Sequence, residues 1–310
     1  MKLIDDDMLL SLSDPAPLID AIAAAFANAG KLPARLHCDL PGFDDAKLLV
    51  MPAWRDRSVI GVKVVTVMPS NRAKGLETVQ GIYMLLSGDT GLPLASLGAK
   101  ALTVLRTAAV SALAARYLAR PDASTLLMVG TGALAPHLIR AHLAVRPYAD
   151  VLVWGRNFAR ASALVGGLGT IAGRVKPIAD LGAGLAAADV VSCATSTKEP
   201  LIRGCDVRRG THVDLVGSFT PAMREADSVL LSGARLIVDV EEAFDESGDL
   251  VEPVKEGAIS RSAPTLRDLV VRPELARRDG NEVTVFKSVG TGLADIAAAA
   301  FLFERAQGSR

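Results

Sequence analysis

Two patterns of hydrophobic and polar positions share this chain. Through the first ninety-odd residues, strand-like runs occur at Lys47–Pro52, Val59–Met68, Val79–Leu86 and Leu94–Leu97, broken by segments rich in Gly, Pro, Asn and Ser. SGDTGLP, between the last two, is a hairpin signal. Ahead of them, Asp14-Pro15 opens an alanine-rich helix from about Pro17 to Ala29, ended by Gly30. LPARLHCDLPG then reads as extended. These elements predict an antiparallel or mixed sheet, followed by a long helix from Thr103 to about Leu118.

Beyond Arg120-Pro121-Asp122 the pattern changes. Short apolar strands alternate with helices: helix Phe158–Leu168, strand Arg174–Pro177, helix Leu181–Ala188, then strands Val190–Ala194, His212–Val216 and Arg235–Val238. Such alternation predicts an α/β fold with a doubly wound parallel sheet. The tail, TVFKSVGTGLADIAAAAFLFERA, adds a strand and a helix from about Gly292. That helix is too apolar to stand alone, so it is expected to pack back on the N-terminal part. The predicted organisation is a discontinuous α+β domain, 1–119 completed by 292–310, and a nucleotide-binding domain, 120–291.

The most informative stretch is TLLMVGTGALAPHLIRAHLAVRPYADVLVWGRN, Thr125 to Asn157, which reads as strand, glycine turn, helix, strand. Gly130-Thr131-Gly132-Ala133-Leu134-Ala135 fits the G-x-G-x-x-A form of the dinucleotide fingerprint. Its first glycine makes the turn, its second admits a pyrophosphate to the backbone, and the small last residue lets helix pack on strand. The following helix directs free N–H groups at the phosphates. Pro136 falls within the first turn, where N–H groups lack helical partners anyway. At the end of the second strand no carboxylate awaits the ribose hydroxyls. Arg156 stands there instead, with Arg160 one turn on, and a guanidinium suits a 2′-phosphate. The expectation is NADPH, with NADH possible; the alternative for both arginines is a solvated loop face.

Composition narrows the picture. Thirty-four basic residues balance thirty-four acidic ones, so nothing electrostatic points to nucleic acid or an anionic membrane. Cys38, Cys193 and Cys205 lack metal-type spacing, so no metal site is expected, and their odd number argues against a disulfide framework. A reduced, cytoplasmic setting follows. MKLIDDDMLL has no signal-peptide core, and no eighteen-residue apolar span is expected.

Chemistry is sought in cations placed where they should not be. Lys63 lies in VIGVKVVTV, apolar on both faces, and a buried ammonium there is costly unless it meets an anion; the alternative is an edge strand with the lysine reaching water. Arg106 shares a helical stripe with Val110, Leu113 and Tyr117. With Thr103 as N-cap it would oppose the helix dipole in the first turn. It should therefore meet a substrate carboxylate or cofactor phosphate, or an internal carboxylate. Arg35, between two prolines, is a third candidate anion contact. Among histidines, His137 and His142 read as packing or surface residues of the nucleotide helix, and His212 as the exposed start of a strand. No paired-carboxylate constellation stands out. Asp214, near the ligand-side end of its strand, is a candidate proton donor, with a structural hydrogen-bond role the stronger reading.

Together, IGVKVVTVMPSN, SGDTGLPLA, LTVLRTAAVSALAARYLAR, MVGTGALA, VWGRN, ATSTKEPLI, HVDLVGS and VFKSVGTGLADIAAA resemble the ornithine cyclodeaminase/mu-crystallin family over nearly the whole chain. The resemblance implies a homodimer joined through the N-terminal domain, which holds substrate beside the nucleotide. It implies that Arg35, Lys63 and Arg106 take a substrate carboxylate. Thr78, Arg106, Thr107, Gly130, Gly132, Ala133, Leu134, Arg156, Asn157, Arg160, Thr195, Val216 and Ser288 would serve the nucleotide, with Val289 near the substrate.

The chain departs from the cyclodeaminases of that family at one point. They carry a catalytic aspartate in a G-G-D-C-P-G-K segment, where this chain has Gly217-Ser218-Phe219-Thr220-Pro221. Phe219 removes the base and would instead wall a substrate ring. The resemblance therefore implies NADPH-dependent reduction of cyclic imino acids, pyrroline-2-carboxylate to proline and piperideine-2-carboxylate to pipecolate. The alternatives are an ornithine cyclodeaminase or alanine dehydrogenase type of enzyme, or a non-catalytic NADP(H)-loaded binding protein.

Overall fold

The computed structural model describes residues 1–310 except 31, 32, 34, 44, 45, 56, 309 and 310 and the side chain at 72. It separates into Met1–Arg106 with Thr291–Arg310, and Thr107–Gly290.

The first unit is built on a six-stranded mixed sheet. Its elements are β1 (Lys2–Ile4), α1 (Asp6–Leu12), α2 (Pro15–Ala27), β2 (Leu36–Asp39), β3 (Lys47–Arg55), β4 (Val59–Val67), β5 (Val79–Ser87) and β6 (Pro93–Gly98), with strand order β1-β6-β5-β4-β3-β2. β1 runs parallel to β6 and the other pairs are antiparallel. Period-two alternation puts Met51, Ala53, Gly61, Lys63, Val65, Tyr83 and Leu85 on one face, all buried. The C-terminal helix Gly292–Gly308 covers that face and α2 packs on the helix, as its run of apolar residues requires.

The long helix α3 spans Ala99–Leu118, four residues earlier than its sequence suggested. Its N-terminus is capped from outside: Asp6 Oδ1 accepts from Ala101 N at 2.8 Å. Gly98 leaves room for this, since a Cβ there would stand 2.2 Å from Asp6 Oδ1. Arg106 therefore lies well inside the helix, and the argument from an opposed dipole in its first turn does not hold. Contrary to expectation, α3 is long and apolar enough to cross a membrane by length and composition, with 78% of that window buried within the fold.

In the second unit a seven-stranded, all-parallel sheet grows both ways from its first strand. The elements are β7 (Thr125–Val129), α4 (Ala135–Val145), β8 (Asp150–Trp154), α5 (Phe158–Gly166), β9 (Val175–Ile178), α6 (Leu181–Ala187), β10 (Val190–Cys193), β11 (His212–Leu215), α7 (Ser228–Ser232), β12 (Arg235–Val238), α8 (Ala243–Glu246), α9 (Gly248–Lys255), α10 (Leu266–Val271) and β13 (Thr284–Lys287). The order β12-β13-β11-β10-β7-β8-β9 puts the reversal of direction between β7 and β10. This is the doubly wound sheet that the alternation predicted, and ligands of such sheets bind at the carboxyl ends of strands beside the reversal. β10, β11 and β13 are buried along their whole length, so the polar side chains they carry, His212, Asp214, Thr284 and Lys287 among them, are buried as well.

Candidate active site

In the first unit, Lys63 comes from the middle of β4, an interior strand of the sheet, so the edge-strand alternative is excluded. Lys63 is 4% exposed and Arg106 5%. The anion they meet is the protein's own Asp295, from the first turn of the C-terminal helix and wholly buried. Lys63 Nζ lies 2.7 Å from Asp295 Oδ2, and Arg106 Nε 2.8 Å from Asp295 Oδ1. Of the two partners expected for Arg106, the internal carboxylate is the one observed.

Both contacts are ion pairs without the alignment of full hydrogen bonds at the carboxylate, and both cations keep donors to spare. Two positive charges face one negative, which leaves one buried positive charge uncompensated by this carboxylate. Burial brings the Lys63 ammonium down from 10.5 to about 8; Asp295 pulls it back up, while Arg106 and Arg35 press it down further. Burial would raise the Asp295 carboxyl, but Lys63, Arg106 and Arg35 overcome it and hold it below the usual range. Half-buried Arg35 is thus within electrostatic reach of the pair. Tyr83 stands opposite Lys63 in register, its buried hydroxyl without a hydrogen-bond partner among the described residues. Burial and then Asp295 push that hydroxyl's pKa well up.

In the second unit, a cavity of about 380 Å³ opens at the carboxyl ends of β7, β8 and β10. Gly130, Thr131, Gly132, Trp154, Gly155, Arg156, Asn157, Arg160 and Thr195 are among its lining residues, so six of the predicted nucleotide contacts come together here. Gly130 has φ +122°, and a Cβ on it would strike Ala194 O at 2.4 Å. Around Gly132 the space is open, as a pyrophosphate's approach requires. α4 has no side-chain cap and no acid in its first turn, and Pro136 sits at its start. Asn157 Oδ1 caps α5 by accepting from Arg160 N at 3.2 Å. Among the described residues, the charged side chains in the lining are Arg156 and Arg160. These residues fit a nicotinamide dinucleotide: the glycine turn and bare helix end would hold the pyrophosphate, and the arginines could meet an added phosphate on the ribose.

The other predicted positions divide between the units. Thr78, half-buried just ahead of β5, and Arg106 belong to the first; Thr107, Ala133, Leu134, Val216, Ser288 and Val289 belong to the second. Asp239 Oδ2 holds Ser288 and Val289 in place, accepting from Ser288 Oγ at 2.8 Å, Val289 N at 3.0 Å and Gly290 N at 2.6 Å. Phe219, on the loop after β11, is 54% exposed.

Asp214 does not suit a proton donor. It is fully buried, accepts from Ser192 Oγ at 2.8 Å and lies 3.5 Å from His142 Nε2. His212 is likewise buried rather than exposed, its Nδ1 3.0 Å from Thr284 Oγ1, and burial drives its pKa well down. A paired-carboxylate cluster that sequence reading missed lies nearby: Glu225 and Asp249, with Lys287 Nζ 3.1 Å from Asp249 Oδ2, all wholly buried.

Residues 7–310 match the model of the ornithine cyclodeaminase/mu-crystallin family. The chain is similar to a delta(1)-pyrroline-2-carboxylate reductase of Paracoccus denitrificans, 41% identical over 255 residues, covering 81% of this chain and 80% of that one. It is similar in structure to the delta(1)-pyrroline-2-carboxylate reductase of Thermococcus litoralis, solved with NADH and L-proline, with TM-score 0.92 and 30% identity over 99% of this chain and 98% of that one. An archaeal alanine dehydrogenase dimer with bound NAD gives TM-score 0.90 and 26% identity, covering 99% and 96%.

Proposed function

The chain belongs to the ornithine cyclodeaminase/mu-crystallin family, and on that premise we propose that it reduces cyclic imino acids, pyrroline-2-carboxylate to proline and piperideine-2-carboxylate to pipecolate. The observation that carries this reading is the buried positive charge left over at Lys63 and Arg106 after Asp295 is counted. A small carboxylate is the partner that completes it, with Arg35 adding to the field. Two relatives whose names state this reduction, one solved with NADH and L-proline, support the substrate class.

NADPH is the preferred cofactor in this reading, with NADH accepted; Arg156 and Arg160 at the pocket wall support the 2′-phosphate contact. Bound there, the reduced nicotinamide supplies the hydride. Lys63 and Arg106 fix the substrate carboxylate and so the plane of the imine. Arrival of that carboxylate beside Lys63 favours its charged form. With Asp214 sealed in the core, Lys63 is also the acid we assign to the imine nitrogen, its burial and the neighbouring Arg106 and Arg35 easing loss of the proton. Phe219, where cyclodeaminases carry their aspartate, offers a ring face and no base.

The working form is a homodimer. Trp54, Ile60 and Ile82 are 46%, 37% and 48% exposed on the uncovered face of the first unit's sheet, where Trp54 pairs with Ile60, Val62 with Met84 and Val64 with Ile82. An apolar ladder of that kind is characteristic of an interface. A reducing, cytoplasmic setting is part of the proposal, as expected from three cysteines of scattered spacing.

The test is product analysis. Incubation with each imine and NADPH should give proline or pipecolate with matching loss of reduced cofactor. Ammonia released from ornithine at a comparable rate would overturn the assignment, as would nucleotide binding without turnover of either imine.

A further inference from the structure

Behind the nucleotide pocket, two segments that follow separate strands are held by a single side chain. Glu225 Oε1 accepts from Thr195 N at 2.7 Å and Thr195 Oγ1 at 2.9 Å, just past β10. Its Oε2 accepts from Gly217 N at 2.6 Å and Ser218 N at 3.3 Å, just past β11. The approach is close enough to demand glycine at 217, where a Cβ would lie 2.6 Å from Glu225 Oε1 and 2.0 Å from Thr195 O. Glu225 is itself anchored: its N–H donates to Asp249 Oδ1 at 2.6 Å. Thr195 lines the pocket assigned to the nucleotide, and Gly217-Ser218 lead into Phe219.

We propose that Glu225 is a positioning residue whose ionised carboxylate clamps the Thr195 segment to the Gly217-Ser218 segment, so that nucleotide affinity depends on its charge. An ionised carboxylate has only acceptors, which is what four donors require; a protonated one turns an O–H against an N–H. The groups facing it are Asp249 from α9, Lys287 from β13 and Cys193 from β10. Burial, then Asp249, push Glu225 up to about 7, against the opposing pull of Lys287, Cys193 and Thr195. Cys193 is raised well above the usual thiol range, by burial first, and stays a neutral thiol near neutral pH. The clamp thus loosens on mild acidification.

The inference rests on the proposed nucleotide site, and the experiment separates the two. NADH is the probe, because it lacks the 2′-phosphate that itself titrates near pH 6. Binding is followed by nicotinamide fluorescence for the wild type, Glu225→Gln and Glu225→Asp, each checked by circular dichroism. Wild-type Kd should rise about tenfold from pH 8 to pH 6, the ratio expected for one ionisation near 7. In Glu225→Gln affinity should fall by well over tenfold at pH 8 and lose its pH dependence, and Glu225→Asp, which keeps the charge, should restore that dependence. A merely structural glutamate would lower the melting temperature and change Kd by one factor at every pH. A flat wild-type profile overturns the clamp even where Glu225→Gln does not fold; absence of NADH binding by the wild type overturns the nucleotide site as well.

Discussion

Replacing Asp295 by Asn removes the one carboxylate paired with Lys63 and Arg106 while keeping its size. Lys63 now sits at about 8, with burial pulling it down and Asp295 holding it up. An opposite charge at 2.7 Å, as found here, sustains about 1–3 pKa units, so without it Lys63 should fall to about 5–7. An ammonium of pKa about 8 is half protonated at pH 8; one at 5–7 is protonated in only about 0.1–10% of molecules. If the protonated form receives the substrate, kcat/KM of Asp295→Asn should lie roughly 5- to 500-fold below wild type at pH 8. The gap should narrow to about 1- to 10-fold at pH 6, where more of the variant's lysine carries its proton. kcat/KM is the right quantity because it reports ionisations of the free enzyme, and those of the substrate cancel in the ratio. Pyrroline-2-carboxylate reduction, followed by loss of reduced nicotinamide, gives both profiles. A deficit that stays constant over this pH range, in a variant that melts cooperatively, would refute the reasoning.

Three further outcomes follow from the same geometry. Arg156→Ala should weaken NADPH at least tenfold and NADH little, since a charge-assisted contact to phosphate contributes about 1.5–3 kcal/mol; an unchanged NADPH/NADH ratio of kcat/KM would remove Arg156 from the 2′-phosphate site. Asp214→Ala should cost about 1–3 kcal/mol in denaturant unfolding, by leaving the buried Ser192 hydroxyl without its acceptor, yet leave kcat close to wild type; loss of turnover from a stable variant would restore it as the acid. If the proposed homodimer forms through that apolar face, wild type should sediment as a dimer and Ile60→Arg as a monomer; a dimeric variant would place the interface elsewhere, and a monomeric wild type would remove the dimer.

The parallel sheet and its nucleotide turn were legible because their causes are local. Strands such as β7, TLLMV, are apolar nearly throughout because both faces are covered, and a phosphate turn needs glycine at fixed offsets, so Gly130, Gly132 and Pro136 could be read in place. What escaped was settled over long separations. The start of α3 is capped by Asp6, some ninety residues upstream, and no local pattern announces that. Lys63 and Arg106 were rightly suspected of meeting an anion, but the anion lies in the C-terminal helix. The signal was a lone acid, Asp295, in GLADIAAAAF, a segment otherwise apolar. Glu225, Asp239 and Asp249 look like ordinary loop acids, and only the fold shows each bonding to backbone N–H groups. His212 and Asp214 misled because a strand end and a strand interior are indistinguishable in so short a run.

The central claim is that a substrate carboxylate completes the charge of Lys63 and Arg106 beside Asp295. A crystal structure with L-proline and oxidised cofactor tests it most directly. The account predicts the proline carboxylate about 3 Å from Lys63 Nζ and from the Arg106 guanidinium, with Asp295 still paired to both. Proline bound with its carboxylate elsewhere, while both cations close on Asp295 alone, would contradict it.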